Sequence, residues 1–174
     1  MTAPGTPASP SRRLAGLGLV LPPVAAPVAA YIPALVERGV VRTSGQLPSV
    51  DGALTCTGAV GDPAAGGTDP GLATQAARVA ALNALAAAAS AAGGVDRLAR
   101  VVKVTGFVCS QPGFTGQAGV VNGASELFGA LFDGGHIRSA VGVAALPLDA
   151  SVEIEAEFAL MADPDEPEAG DLDG

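Results

Sequence analysis

The clearest hydrophobic pattern in the chain is the alternation over Ser151–Leu160. Apolar side chains occupy every second position, and the three glutamates Glu153, Glu155 and Glu157 occupy the positions between them. Alternate residues of a strand point to opposite sides of a sheet. This period of two therefore predicts a strand that is buried on one face only.

Five further segments have a residue pattern that predicts regular structure. Leu98–Ser110 is β-branched and apolar at both alternating sets of positions, which predicts a strand covered on both faces. Leu72–Ala92 consists largely of alanine, the best helix former, and a pair of glycines follows it as a stop signal. Shorter patterns predict a helix over Asn122–Phe132 and strands over Gly39–Gln46 and Ser139–Leu146.

The order of these elements is strands, helix, strand, helix, strands. It indicates an α+β fold in which two helices lie on one face of a mixed sheet. A sheet that is apolar on both faces needs a second cover, which two helices on one side do not supply. Self-association is the simplest source of that cover.

Composition divides the chain into a body with two polar ends. The segment 1–16 begins rich in Pro, Ser and Thr and predicts a disordered leader, 17–161 predicts one domain, and 162–174 predicts an acidic disordered tail. The formal net charge is −8, and six of the 17 acidic residues lie in the last 13 positions. The remaining 11 acidic and nine basic residues give a net charge of −2, so no basic patch for nucleic acid is expected.

Few residues of this chain are suited to metal binding or to nucleophilic catalysis. Cys56 and Cys109 match no zinc spacing, and His136 is the only histidine, so no metal site is expected. Cys109 stands in an apolar strand and is interpreted as a small core residue. No long apolar run free of Pro and polar residues predicts a membrane span, and the default location is cytoplasmic.

Several motifs, taken in order, resemble those of the reactive-intermediate deaminases, the RidA/YjgF-like family. The resemblance runs from about Leu21 to Leu160. The motifs are Ser44-Gly45-Gln46-Leu47-Pro48, the helix bearing Ala73, Gln75, Ala76 and Asn83, the strand Val102–Val108, the pair Val121-Asn122, Arg138-Ser139-Ala140-Val141-Gly142-Val143, Leu146-Pro147, and Val152–Ala156.

This resemblance implies a fold, an assembly and an activity. The fold is the chorismate-mutase-like α+β fold, assembled as a homotrimer with sites in the clefts between subunits, which fits the sheet that is apolar on both faces. The activity is hydrolysis of enamines and imines derived from amino acids to 2-oxo acids and ammonia. No cofactor is implied, and the partner is a small carboxylate substrate.

The resemblance assigns the two central roles to Arg138 and Glu153. Arg138 matches the family arginine that binds the substrate carboxylate, and a guanidinium can do so through two parallel hydrogen bonds. The alternative is a surface arginine paired with a nearby acid. Glu153 matches the family glutamate that helps to hold the attacking water; the alternative is a solvated face shared with Glu155 and Glu157.

Three further residues match substrate-binding positions of the family. Tyr31 lies 13 residues before Ser44, as the family's site tyrosine does, and the alternative for it is an amphipathic side chain at an interface. Ser44 is either a cleft residue or a turn residue that satisfies its own backbone. Asn122 is either a site residue or a helix N-cap. For Gly45 a backbone position with positive φ is expected.

The chain departs from the family at three places, which indicates a divergent branch. Ala140 replaces the usual cysteine two positions after the arginine, where the family uses mainly the backbone carbonyl to hold water. Ala29-Ala30 replaces a Gly-Pro pair, and the loop before the first long helix is longer. The substrate can therefore differ from 2-iminopropanoate.

Two function classes follow from these residues. The first is an imine and enamine deaminase in which Arg138 binds the carboxylate while Glu153 and the Ala140 backbone place water. The second is a non-catalytic trimer that binds small carboxylates such as 2-oxo acids, as a sensor or accessory protein. The family's older description as a ribonuclease or translation inhibitor fits poorly with the acidic charge and the aromatic content of 3%.

Overall fold

A computed structural model describes residues 8–24 and 30–162 of the chain. Most of the predicted acidic tail (163–174), the first seven residues of the predicted leader, and Ala29 lie outside the described residues. The helices are α1 (Pro10–Gly16), α2 (Pro70–Ala92) and α3 (Gln117–Leu131), and the strands are β1 (Ala34–Glu37), β2 (Val40–Thr43), β3 (Ser49–Val50), β4 (Ala53–Leu54), β5 (Leu98–Cys109), β6 (Ile137–Val143) and β7 (Val152–Leu160).

Five of the strands form one mixed sheet in the order β1-β2-β7-β5-β6. Strands β5 and β6 run parallel, and the other neighbours are antiparallel. Between the parallel strands the chain crosses over through α3, as a parallel connection requires. The α+β class and the mixed sheet with two helices on one face, predicted from the sequence, are confirmed.

Helices α2 and α3 pack side by side on one face of the sheet. Helix α2 begins after Asp69, whose carboxylate accepts hydrogen bonds from the Gly71 and Leu72 amides at 2.8 and 3.0 Å. The two helices approach closely at Gly123, where an added Cβ would overlap the Thr74 carbonyl oxygen. Under them, Phe158 of β7 is fully buried and meets Phe128 of α3 edge to face, with ring centroids 5.5 Å apart.

No helix within residues 8–24 and 30–162 lies across the other face of the sheet, hereafter the open face. Glu153, Glu155 and Glu157 of β7 point to this side, since the residues between them are buried under the helices. Apolar side chains accompany them at the edge strand, where Ile137 is 66% and Val141 44% exposed. The open face is therefore a mixture of charge and apolar surface that a single chain leaves uncovered.

The prediction of a disordered leader over 1–16 is wrong for Pro10–Gly16, which forms α1. Proline stands at the first turn of the helix, where its missing N–H costs nothing. Leu14 is 5% exposed, the Ser11 amide and hydroxyl donate to the Asp96 carboxylate at 2.9 and 2.7 Å, and Arg13 pairs with Asp133 at 2.6 Å. These tertiary contacts hold a segment whose composition alone resembles a linker.

Candidate functional site

Arg138 is held by α3. In the parallel register Arg138 lies beside Val104, which is fully buried under the helices, so its side chain points to the helix side of the sheet. Its Nη1 donates to Asn122 Oδ1 at 2.8 Å and to Ser125 Oγ at 3.1 Å, and Nη2 donates to the Ala118 carbonyl at 3.2 Å. These partners are all neutral. Among the described residues Arg138 therefore does not form the ion pair with a nearby acid that was the alternative.

Asn122 lies against Arg138, and it is not a helix N-cap. Helix α3 begins at Gln117, five residues earlier than predicted, and its N-cap position is Gly116. Asn122 therefore stands within the helix, and its side chain is exposed and accepts from the guanidinium. The capping alternative is wrong, since the amides it would satisfy lie one turn further back.

Sequence reasoning missed Ser125 and left His136 without a partner. Ser125 Oγ lies 3.0 Å from His136 Nε2 and accepts from Arg138 Nη1. Burial, and then the positive charge of Arg138, lower the pKa of His136. The signal was the spacing: positions 122 and 125 share a helix face, and alternate residues such as 136 and 138 share a side of an extended segment.

Glu153 lies on the open face beside the Ser44-Gly45-Gln46 motif. Gln46 exchanges backbone hydrogen bonds with Ile154 at 2.9 and 3.0 Å, which lays the motif along β7. A Cβ on Gly45 would overlap the Glu153 carboxylate, whereas the φ of Gly45 is not among the positive values. The expectation of a positive φ is thus wrong, and glycine here leaves room for the Glu153 carboxylate in its present rotamer.

The environment of Glu153 favours its neutral form. Burial, and next the neighbouring charge of Glu155, raise the pKa of Glu153. None of the ion pairs and side-chain hydrogen bonds among the described residues involves this carboxylate. By contrast, Glu157 on the same strand pairs with Arg42 at 3.4 Å. Glu153 is therefore a half-buried acid whose oxygens are open to a further donor.

Ser44 takes part in a local network. Its Oγ donates to the Pro33 carbonyl at 3.3 Å and accepts from Gln46 Nε2 at 3.1 Å. This agrees with the alternative of a residue that satisfies nearby backbone, while one lone pair of the hydroxyl is left. Tyr31 precedes Pro33 by two residues and is 45% exposed. The structure thus places Tyr31 on a segment that reaches the Ser44 motif.

The position of the family's cysteine holds Ala140 in this chain, and Cys109 is a buried thiol. Ala140 is partly buried on the helix side of β6, beside Gly106 of β5. Cys109 is 4% exposed, its Sγ lies 3.6 Å from the Ala144 carbonyl, and burial raises the pKa of its thiol. Its interpretation as a core residue is confirmed. Within 8–24 and 30–162 no cluster of three metal-ligating side chains occurs.

The predicted site residues form two groups on opposite faces of the sheet. Arg138, Asn122 and Ala140 are on the helix side, and Glu153 and Gly45 are on the open side. Side-chain direction alternates along each strand, so the register across β6, β5 and β7 fixes this separation. One chain therefore does not bring Arg138 and Glu153 to the same cleft.

Among the described helices, none is long and apolar enough to span a bilayer.

A depression of about 140 Å³ lies on the open face, away from Arg138, and is lined by Arg42, Lys103, Thr105, Glu155 and Glu157 among others. Most of these lining residues are charged, and Glu153 does not line the depression.

The mixed five-stranded sheet with its helices belongs to the class of YjgF and chorismate-mutase-like α+β structures. The sequence model described as Endoribonuclease L-PSP matches residues 23–159. The chain therefore belongs to the Endoribonuclease L-PSP family, which is also the RidA/YjgF family, and the recognition made from its motifs is confirmed.

The similarity of the chain to three relatives differs in sequence identity and, for the two solved structures, in TM-score. Protein TCP17 of Trypanosoma cruzi is 42% identical over 143 residues, which cover 80% of this chain and 87% of that protein. Atu1372 of Agrobacterium tumefaciens, of unknown function, is 40% identical with a TM-score of 0.77, covering 87% of this chain and 92% of its own. RidA from an Antarctic Psychrobacter species is 29% identical with a TM-score of 0.52, covering 78% and 92%.

Proposed function

We propose that this protein hydrolyses enamines and imines derived from amino acids to 2-oxo acids and ammonia. The observation that carries the proposal is Arg138, which keeps the family's position and is braced by neutral partners at 2.8, 3.1 and 3.2 Å. Because none of these partners is an acid, the charge of the guanidinium is left uncompensated by them and can attract a substrate carboxylate.

In the proposed reaction, water adds to the imine carbon of a substrate whose carboxylate lies on Arg138. The new C–O bond forms as the C=N electron pair moves to nitrogen, which takes up a proton. The resulting carbinolamine transfers its hydroxyl proton to the amino nitrogen as the C–N bond breaks, so that ammonia leaves and the hydroxyl oxygen becomes the ketone oxygen of the 2-oxo acid. Glu153 orients the water, accepts its proton and passes that proton to the imine nitrogen, and the Ala140 backbone helps to place the water.

We also propose a homotrimer, in which one copy supplies Arg138 and Asn122 and the next copy supplies Glu153, Ser44 and Tyr31. The separation of the two groups by the sheet supports this arrangement, because one chain presents them to different sides. The uncovered open face supports it too, since Ile137 and Val141 would be buried by a neighbour. In a closed ring every copy uses the same pair of surfaces.

The test generates imines in situ with an amino-acid oxidase and follows the loss of semicarbazide-trapped imine. We expect the wild-type protein to accelerate that loss and Arg138→Ala to lower kcat/KM by about a hundredfold or more, since two charge-assisted hydrogen bonds are removed. Arg100→Ala, at an exposed arginine of β5, is the matched control and should behave as wild type. Unchanged turnover in Arg138→Ala, with the oligomer intact, would contradict the assignment.

A second candidate is a non-catalytic binder of small carboxylates. Ala140 at the family's cysteine position favours it, because the helix-side group could bind a carboxylate without any placed water. Binding of 2-oxo acids without turnover of any imine would support this function instead. RNA cleavage is not proposed despite the family's description, because the net charge of −8 opposes binding to a phosphate backbone.

A further inference from the structure

Behind the guanidinium of Arg138 lies a short chain of hydrogen bonds that the proposed mechanism does not use. Arg138 Nη1 is 3.1 Å from Ser125 Oγ, and that oxygen is 3.0 Å from His136 Nε2. Ser125 stands on α3 one turn after Asn122, and His136 directly precedes β6. The three groups join the helix to the strand that carries the arginine.

The hydrogen bonds that join Arg138, Ser125 and His136 have one consistent assignment of donors and acceptors. A guanidinium only donates, so Ser125 Oγ accepts from Arg138. The one hydroxyl hydrogen of Ser125 is then available to His136 Nε2, which accepts when the ring is neutral with its proton on Nδ1. Burial and the charge of Arg138 lower the pKa of His136, which favours this neutral ring.

We propose that Ser125 and His136 are positioning residues for Arg138. Asn122 and Ser125 accept both N–H groups of Nη1, and the Ala118 carbonyl accepts one from Nη2. The Nε–H and the second Nη2 N–H are left, among the described contacts, for a carboxylate. Fixing the guanidinium in one rotamer before the ligand arrives reduces the entropy lost on binding. This inference rests on the proposed function, because the carboxylate is that of the substrate.

The charges around His136 give the proposal a readout that a purely structural role would not show. Arg138 faces the ring, Glu126 is the acid on the adjoining helix, and Asp133 of the preceding turn is paired with Arg13 of α1 at 2.6 Å. A carboxylate bound to Arg138 cancels part of the positive charge that opposes protonation of His136. Binding should therefore raise the pKa of His136, and carboxylate affinity should increase as the pH falls through that range.

The experiment uses NMR, in which the only histidine of the chain gives an unambiguous ring signal. His136 is titrated with and without 2-oxobutanoate as the probe, and the Arg138 side-chain N–H resonances are recorded. The variants are Ser125→Ala, which removes the hydroxyl, Ser125→Thr, which keeps it, and His136→Gln. Ser90→Ala, at an exposed serine of α2, is the matched control.

We expect separate, slowly rotating Nη resonances in the wild type and in Ser125→Thr, and averaged resonances in Ser125→Ala. The Kd for 2-oxobutanoate should rise roughly tenfold in Ser125→Ala and return towards the wild-type value in Ser125→Thr. In His136→Gln the affinity for 2-oxobutanoate should increase less as the pH falls than it does in the wild type. Ser90→Ala should match the wild type throughout.

Wild-type guanidinium resonances and affinity in Ser125→Ala would overturn the inference, whatever the turnover assay gives. If the wild type neither binds 2-oxobutanoate nor hydrolyses any imine, the proposed function fails. The Nη resonances then decide the positioning role alone: averaging in Ser125→Ala supports it, and no difference from wild type refutes it.

Discussion

Glu153 and its neighbour Glu155 form an acidic pair on the open face. Burial dominates the raised pKa of Glu153, and the like charge of Glu155 adds to it. A carboxyl whose pKa is shifted towards the working pH is a better proton acceptor than an ordinary surface glutamate. The same carboxylate occupies the space that a side chain at Gly45 of the Ser44 motif would take.

This environment predicts the acid side of the pH profile. In the proposed mechanism Glu153 is ionised before it accepts a proton, so kcat/KM should fall as the pH drops through an apparent pKa above the ordinary value of 4.5. Glu155→Gln should move that pKa down, but only in part, since burial is the larger cause. The measurement is the pH dependence of imine hydrolysis in both proteins.

Glu37→Gln is the control for a change of net charge, because Glu37 lies on β1 and pairs with Arg42 rather than with Glu153. Its profile should follow the wild type. An acid limb that does not respond to Glu155→Gln, or one that survives in Glu153→Gln, would show that another group titrates.

At the scale of elements, the hydrophobic periodicity of the sequence predicted those strands and helices whose apolar positions form a buried face. The alternation of β7 and the alanine-rich α2 were predicted to within two residues of the structure, since each pattern coincides with a buried face. The start of α3 was misplaced by five residues because Asn122 has the residue type of a helix N-cap. Helix α1 was missed because its stability comes from distant partners, Asp96 and Asp133, which no local pattern reveals.

Helix α1 should contribute measurably to stability, although it precedes the residues matched by the family. Leu14→Ala removes a side chain that is 5% exposed and should lower the free energy of unfolding by about 2 kcal/mol or more. Leu17→Ala, at a position that is 46% exposed, is the matched control and should change it by less than about 0.5 kcal/mol. Urea denaturation at one fixed protein concentration measures both, and equal midpoints would show that α1 is not anchored.

At the scale of the whole molecule, the sheet itself divides the site. The sequence indicated which residues to inspect, but the side to which each points depends on strand pairing. Arg138 takes its direction from the parallel register with Val104, and Glu153 from the antiparallel register with Phe107. Such pairings join residues far apart in the chain, so no local pattern predicts them.

The proposed sharing of a site between copies leads to a prediction about mixed oligomers. Arg138→Ala and Glu153→Gln should each be inactive alone, because each lacks one half of every site. When both are coexpressed in equal amounts, random closure of a three-copy ring should restore about one quarter of the sites. The measurement is imine hydrolysis by the mixture relative to wild type.

The control mixes Arg138→Ala with the double variant that lacks both side chains, and no site can then be complete. Activity that stays absent in the first mixture, despite proven exchange of subunits, would place both groups in one copy and contradict the shared cleft.

The half-exposed Tyr31 has an optical consequence. The chain has one tyrosine and no tryptophan, so light absorbed beyond the phenylalanine band is emitted by Tyr31 alone. A ligand that enters the proposed cleft would change the brightness or polarisation of this emission without any attached dye. Tyr31 would thus report occupancy of the proposed cleft, and the scarcity of aromatic residues makes ultraviolet absorbance a poor measure of the protein's concentration.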